Sequence, residues 1–178
     1  MIVTSQEAED QAILNLAYAV CAAARTAPKA CGIDHLDTAV ITGDDKTRLA
    51  EEMRQIGSRF GEGGAFFIRD ADTVDISGAV VLIGARYKTR GLNEKCGLCG
   101  FENCAACAVA RATCIYVPLD LGIALGSAVS LVADNRVDNR IMFTIGKAAA
   151  SLGLLGNYKM VMGIPLIALG KSPFFDRK

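Results

Sequence analysis

Cysteines crowd into a short central segment of this chain. Five of its seven cysteines lie close together in sequence, at Cys96, Cys99, Cys104, Cys107 and Cys114. Two thiolates separated by two residues, such as Cys96 and Cys99, can bind one metal centre. Gly97 and Gly100 permit the left-handed backbone angles of a tight loop, and their N–H groups can donate to the sulfur atoms of a cluster. The spacing therefore predicts a metal site.

The kind of metal follows from the ligand types. Ligation by thiolates alone, between crowded glycines and without histidine, favours an iron–sulfur cluster, which we expect to be a 4Fe–4S cluster. Structural zinc sites separate their cysteine pairs by about 15–20 residues, whereas Cys99 and Cys104 are close in sequence. Zinc and metal-free thiols stay open as alternatives.

Three predicted ligands are Cys96, Cys99 and Cys104, and the fourth is Cys114 or Cys107. We expect Cys104 to open a short helix whose positive end faces an anionic cluster. Cys107 would lie one turn later on the same side, but small buried cysteines are common in protein cores. Cys114 lies beyond the helix, where the chain can return, and we prefer it as the fourth ligand.

Helix and strand patterns alternate around the cysteines. Predicted helices begin at Thr4, with a Thr4–Glu7 capping box, and at Asp44 or Asp45, and two more cover 121–133 and 139–152. Predicted strands cover 36–42, 65–69, Ala79–Ala85 and 160–169. We therefore expect an α/β (α+β) fold with helices around a central sheet. Residues 1–178 would form a single domain, with an iron–sulfur insert at 92–117.

Composition argues against several partners. Lys+Arg and Asp+Glu both total 19, tryptophan is absent and aromatic residues make up 6%. A surface that binds nucleic acid needs concentrated basic charge or aromatic stacking platforms, so we expect no nucleic-acid partner. The N-terminus lacks a secretory pattern, and uncharged stretches such as 121–133 are short for a membrane span. We expect a cytoplasmic protein with no membrane partner.

The segment from Cys96 to Cys104 resembles the C-G-x-C-G-x-x-x-C signature of 4Fe–4S domains in electron-transfer complexes and carbon monoxide dehydrogenase assemblies. In those domains a packed apolar residue stands at the position of Cys107, and a later cysteine is the fourth ligand, which supports Cys114. The whole chain resembles an uncharacterised prokaryotic family described as containing a ferredoxin domain (domain of unknown function 2148). That resemblance is carried by the cysteine segment and by 120–128, 137–142, 163–166 and 170–177.

A second resemblance is to the nitroreductase fold. It is carried by 23–30, 120–133, 148–154 and 162–170. Proteins of that fold are usually homodimers that bind flavin mononucleotide (FMN), so the resemblance implies a homodimer and FMN as a further cofactor. The Arg-x-Ser-x-Arg phosphate clamp of those enzymes is not clearly present, and Arg25 and Lys29, one turn apart, replace it only in part.

These observations predict a redox protein whose cluster passes electrons to an unidentified partner protein or to bound flavin, as in a flavin-linked oxidoreductase. The alternatives are a zinc-stabilised binding or scaffold protein, and a redox sensor without turnover. No catalytic residue is predicted, because His35, the only histidine, has no partner in sequence and is expected in a surface loop. Cys21 is expected in the core and Cys31 in a loop.

Two further segments have expected structural roles. Residues 138–140 are expected to cap the helix that follows them. At the C-terminus, Phe174 and Phe175 are expected to be buried, with Asp176 and Arg177 outside.

Overall fold

The computed structural model describes residues 1–158 and 160–174. The helices in these ranges are α1 (Ser5–Thr26), α2 (Gly43–Arg59), α3 (Ala65–Asp75), α4 (Cys104–Val109), α5 (Tyr116–Asp134) and α6 (Phe143–Leu152). The strands are β1 (Leu36–Ile41), β2 (Ala79–Ala85), β3 (Asp138–Asn139) and β4 (Met160–Ile167).

The four strands form one antiparallel sheet in the order β1-β2-β4-β3. Every residue of β2 is buried, as expected for a continuous apolar run at the centre of a sheet. The prediction of a strand at Ala79–Ala85 is confirmed residue for residue. β3 has only two residues, and in its register the next partner on β4 would be Pro165, which has no N–H to donate to the ladder.

Helices cover both faces of the sheet, which confirms the predicted α/β arrangement. On one face α1 and α5 pack over β2 and β4, with Ala17, Val20 and Ala124 fully buried. On the other face α2, α3 and α6 pack together, with Leu49, Met53 and Ile145 fully buried. The segment between β2 and α5 contains the five clustered cysteines, and we call it the cysteine insert. The sheet and one helical layer fix its two ends, and its predicted bounds of 92–117 stay a prediction.

Local signals predicted the start of the first helix correctly and missed other element boundaries. Thr4 caps α1, and its hydroxyl and main-chain N–H both bond with Glu7, as the capping-box pattern predicted. β1 ends one residue earlier than the predicted 36–42. α2 begins at Gly43, so Asp44 and Asp45 lie in its first turn, and the prediction that one of them caps this helix is wrong. α5 begins at Tyr116, earlier than the predicted 121–133, because Pro118 is tolerated in the first turn of a helix.

The prediction of a strand at 65–69 is wrong, because these residues begin α3. The buried positions Phe67, Asp70, Ala71 and Val74 recur at helical spacing, and a window of five residues was too short to reveal that period. The predicted helix at 139–152 begins only at Phe143. Residues 138 and 139 form β3. The expectation that they cap the following helix is therefore wrong.

α6 and β4 approach each other closely. A Cβ built on Gly146 would stand 1.7 Å from the main-chain oxygen of Val161, and one built on Gly163 would stand 2.0 Å from Cγ2 of Ile145. Only glycine allows this contact between a helix backbone and a strand backbone. Gly163 therefore does not interrupt β4, but permits α6 to lie against it.

α5 is the one helix in the described ranges that is long and apolar enough to cross a membrane by length and composition, with a mean hydropathy of 1.6. Its inner side belongs to the core that it shares with α1. Core helices of soluble proteins share these properties, so they are weak evidence for a span. Its outer side leaves Ile115, just before the helix, and Leu119 and Ile123 exposed.

At the C-terminus, Phe174 packs partly buried against the core formed by α2, α3 and α6. The expectations for Phe175, Asp176 and Arg177 fall outside the described residues.

Candidate metal centre

The cysteine insert begins with tight turns. A 3-10 turn at Asn93–Lys95 precedes two left-handed glycines, Gly97 with φ 61° and Gly100 with φ 79°. No heavy atom lies within 4 Å of a Cβ built at either glycine, so backbone conformation and not lack of space requires glycine there. The prediction of a tight glycine loop between the cysteines is confirmed.

α4 holds the next two cysteines. Asn103 caps this helix, and its side-chain oxygen accepts a hydrogen bond from the N–H of Ala106 at 2.9 Å. The helix begins at Cys104, as predicted, and Cys107 lies one turn later on its buried side. The chain then turns at Arg111, which has a left-handed φ of 53°, and returns to Cys114.

All five cysteines of the insert line one cavity of about 10 Å³, which we call the thiol cavity; they are Cys96, Cys99, Cys104, Cys107 and Cys114. Cys107 is fully buried and Cys114 is 7% exposed, while the other three are half-buried. All seven cysteines of the chain are free thiols. Residues spread over 19 positions of sequence thus converge on one small space.

Cys107 lies among the other cysteines of this group. Its thiol is beside Cys99 and near Cys104 and Cys114. Its Sγ also donates to the main-chain oxygen of Ala112, at 3.6 Å. Burial, and then the contact with Cys99, raises the pKa of the Cys107 thiol above its ordinary value.

The five cysteines line one cavity, but their side chains are not arranged as a set of metal ligands. Within residues 1–158 and 160–174, no three cysteine, histidine, aspartate or glutamate side chains are already gathered closely enough to hold a metal ion. The ligand set Cys96, Cys99, Cys104 and Cys114 stays a prediction. The preference for Cys114 over Cys107 also stays a prediction, because both residues line the thiol cavity.

The main chain supplies a donor to one thiol. The N–H of Asn93 donates to Sγ of Cys104 at 3.3 Å. Asn93 reaches this position with a left-handed φ of 53°, a conformation that asparagine tolerates better than most residues. N–H donors to sulfur stabilise anionic thiolates and clusters. Such a donor suits a thiolate-bound metal group.

A buried ion pair adjoins the thiol cavity. Arg90 lines the cavity, and its side chain and that of Asp120 are 1% and 2% exposed. Nη2 and Nε of Arg90 donate to one oxygen of Asp120, at 2.6 Å and 3.1 Å, and Nη1 donates to the main-chain oxygen of Lys88 at 2.8 Å. The second Asp120 oxygen accepts from the N–H of Ala30 at 3.0 Å. This pair connects the start of the insert, α5 and the turn after α1.

Sequence reasoning missed this ion pair, although one signal was present. Asp120 stands in an otherwise uncharged run of α5. A carboxylate among apolar residues at helical spacing requires a partner if that face is buried. Arg90 is the nearest preceding arginine to the insert, but the sequence does not show that β2 and α5 bring the two together.

Tyr116 was also missed. It lines the thiol cavity at the first position of α5. Its phenol lies beside Cys96, and burial and then Cys96 raise the pKa of the phenol. The electrostatic effect of Cys31 also reaches this phenol. Cys31 is exposed, and its left-handed φ of 59° belongs to the turn after α1.

A surface groove of about 490 Å³ shares Cys114 and Thr89 with the thiol cavity. Lys88 and Arg111 line it, together with Tyr87, Ala108 and Ala112. In the part of the chain that the structure describes, neither cationic side chain makes an ion pair, and the lining has no acidic residue. We call this the basic groove.

The residues considered for flavin phosphate are engaged elsewhere. Arg25 pairs with Asp34 at 2.7 Å and donates to the main-chain oxygen of Leu36 at 3.1 Å. Nζ of Lys29 donates to the main-chain oxygens of Arg25 and Ala27. The two side chains therefore do not form a phosphate clamp in this arrangement.

The remaining candidates have structural surroundings. His35 lies half-buried before β1, and burial, followed by the charges of Arg90 and Lys88, lowers the pKa of its imidazole. This fits the expected loop position. Cys21 packs half-buried against the core of α1 and α5, as expected, and burial raises the pKa of its thiol.

Comparison with solved structures identifies the fold. The chain is similar to a nitroreductase with bound FMN from Desulfitobacterium hafniense, with a TM-score of 0.57 at 13% identity, covering 97% of this chain and 81% of that one. It is also similar to a BluB-like flavoprotein from Clostridium difficile, with a TM-score of 0.57 at 14% identity, covering 99% and 89%. The predicted nitroreductase-like fold is confirmed.

Comparison of sequences identifies the family. Residues 110–177 match the family model described as an uncharacterised protein containing a ferredoxin domain (DUF2148), a range that includes Cys114 but not Cys96, Cys99 or Cys104. The chain is 40% identical over 187 residues to an uncharacterised protein of Archaeoglobus fulgidus, covering 99% of this chain and 98% of that protein. The chain therefore belongs to the DUF2148 family of uncharacterised proteins containing a ferredoxin domain, and it has the nitroreductase fold.

Proposed function

We propose that this protein is a cytoplasmic iron–sulfur redox protein. It holds a 4Fe–4S cluster on Cys96, Cys99, Cys104 and Cys114 and exchanges electrons with a partner. The observation that carries the proposal is the convergence of five free thiols on one cavity. The ferredoxin description of the family supports an iron–sulfur redox role. When bound, the cluster would supply one-electron chemistry.

The residues around the cavity suit such a group. The Asn93 N–H donates to Cys104, and the Tyr116 phenol lies beside Cys96. Burial of Cys114 and Cys107 limits contact between water and the sulfur atoms on that side. Hydrogen bonds, burial and nearby charge are the means by which a protein sets the potential of a cluster.

The test is an anaerobic preparation analysed for iron, acid-labile sulfide, zinc and flavin together. We expect brown protein with iron and sulfide in equal amounts, bleached by dithionite. Colourless protein without sulfide after anaerobic, iron-replete expression would refute the proposal. Stoichiometric zinc without iron would instead support the zinc-stabilised binding or scaffold protein.

FMN is a second cofactor that the fold favours, since the similar structures include FMN-bound and flavoprotein examples. Arg25 and Lys29 are occupied by partners within the chain, so a bound flavin would take its phosphate contacts from other residues. A flavin-linked oxidoreductase predicts FMN released on denaturation, in a fixed ratio to protein. Absence of FMN from protein with full iron content would leave electron transfer to a separate partner.

A redox sensor without turnover is the remaining alternative. It requires a partner whose affinity for this protein changes when the cluster is oxidised. Pull-downs under reducing and oxidising conditions test it. The same partners in the same amounts under both conditions would argue against a sensor.

We further propose that the protein is a homodimer through the outer side of α5. Ile115, Leu119 and Ile123 form an exposed apolar row at a spacing of four residues, on a helix with a mean hydropathy of 1.6. In an isologous dimer the same surface of both protomers meets, so the apolar row of a second copy would bury this row. Light scattering should give a dimer mass, and Leu119→Glu should give a monomer that keeps its iron. A monomeric wild-type protein would refute the dimer.

A further inference from the structure

The buried guanidinium of Arg90 has unused donors. An arginine has five N–H donors and cannot lose its charge in a protein. Three hydrogen bonds account for Nε, one N–H of Nη1 and one of Nη2, all to Asp120 and the main chain of Lys88. The other two N–H groups make no hydrogen bond with a residue that the structure describes.

Unused donors at a fully buried cation require an explanation. Buried polar groups are almost always hydrogen-bonded, and leaving them unpaired is destabilising. The Arg90 side chain is 1% exposed, and the space it borders is the thiol cavity. The cavity is lined by sulfur atoms, and its lining holds no carboxylate. An anionic group held by those thiols would accept from the free N–H groups.

We propose that Arg90 is a positioning residue that donates hydrogen bonds to the anionic iron–sulfur group in the thiol cavity and raises its reduction potential. This inference rests on the proposed function. Reduction adds a negative charge next to a fixed cation, so Arg90 stabilises the reduced cluster. Asp120 orients the guanidinium and partly offsets its charge, and therefore acts in the opposite direction.

The two members of the pair thus have opposite expected effects. Arg90→Gln removes the cation and should lower the midpoint potential of the cluster. Asp120→Asn removes the anion and should raise it. In each case we expect the ratio of reduced to oxidised cluster at a fixed potential to change at least tenfold. For a one-electron couple, this corresponds to a shift of about 59 mV in the midpoint potential. The double variant should lie between the two.

The measurement is a redox titration followed by electron paramagnetic resonance, on protein purified anaerobically with its cluster. Asp72→Asn is the matched control, because Asp72 forms an exposed ion pair with Arg54. It should leave the potential unchanged. Arg90→Lys keeps the charge and should retain a potential closer to wild type than Arg90→Gln, which keeps the test informative if the glutamine variant fails to fold.

Different outcomes test the role of Arg90 and the presence of the cluster. A purely structural role predicts that both substitutions loosen the insert and shift the potential in the same direction. That result, or unchanged potentials in both variants, would overturn the role of Arg90 while leaving the cluster established. Wild-type protein without iron and sulfide would instead refute the proposed function itself.

Discussion

Asp120 accepts a hydrogen bond from the main-chain N–H of Ala30 at 3.0 Å, although 90 positions of sequence separate the two residues. The other oxygen of the same carboxylate binds Arg90. One buried side chain of α5 therefore connects the turn after α1 to the start of the cysteine insert. The thiol cavity depends on long-range packing as well as on its own loop.

Asp120→Ala should destabilise the fold strongly. It would leave Arg90 charged, buried and unpaired, and such losses cost about 3–5 kcal/mol. Asp120→Asn keeps one acceptor and should cost less. Chemical denaturation under anaerobic conditions, followed by circular dichroism, measures both values. Asp72→Ala, at an exposed ion pair, should change the free energy of unfolding by less than about 1 kcal/mol. Equal effects at the two aspartates would contradict this prediction.

Single cysteine substitutions should separate ligands from neighbours. We expect Cys96→Ser, Cys99→Ser, Cys104→Ser and Cys114→Ser to lose most of their iron. Cys107→Ala should keep it, because its thiol donates to the main-chain oxygen of Ala112 and is not one of the proposed ligands. Iron and sulfide content of anaerobically purified variants is the measurement.

The control for this series is Cys21→Ala, because Cys21 packs against the core of α1 and α5, away from the thiol cavity. It should retain full iron content. If Cys114→Ser keeps its full iron content and Cys107→Ala loses its iron, then Cys107 and not Cys114 is the fourth ligand.

Gly146→Ala should destabilise the contact between α6 and β4. The added Cβ would stand 1.7 Å from the main-chain oxygen of Val161, so one backbone must move. Overpacking of this kind costs about 1–3 kcal/mol. Gly63→Ala is the matched control, because nothing lies within 4 Å of its Cβ. Thermal unfolding should show a lowered midpoint for the first variant only, and equal midpoints would contradict the observed packing.

Features encoded locally were predictable from the sequence. The Thr4–Glu7 capping box and the apolar run at Ala79–Ala85 depend on neighbouring residues, and both appeared as expected. The grouping of Cys96, Cys99 and Cys104 at one cavity also followed from short spacings. By contrast, 65–69 forms part of a helix because its apolar period continues to Val74, beyond the window that suggested a strand.

Features that depend on tertiary contacts were not predictable. Arg90 and Asp120 lie 30 positions apart, and the chain between them contains the whole insert. Their pairing follows from the packing of α5 beside β2, which no local pattern specifies. The contact of Tyr116 with Cys96 has the same origin, because the phenol is carried by α5 and the thiol by the insert.

The basic groove should make oxidation of the cluster sensitive to the charge of the oxidant. Lys88 and Arg111 line the groove beside Cys114, without an acidic residue in the lining. A concave surface of one sign raises the local concentration of opposite ions and accelerates encounter by about tenfold or more at low ionic strength. Stopped-flow oxidation of the reduced protein by anionic ferricyanide should therefore be slowed by the double substitution Lys88→Glu and Arg111→Glu.

The same double variant should react faster with hexaammineruthenium(III), a cation, because the sign of the groove is reversed. Both effects should fade as added salt screens the charges over about 10 Å at 0.1 M ionic strength. Lys147→Glu, an exposed substitution on α6 in the opposite helical layer, is the control and should leave both rates close to wild type. If the double variant slows both oxidants equally, the groove does not act through its charge, and electrons leave the cluster by another surface.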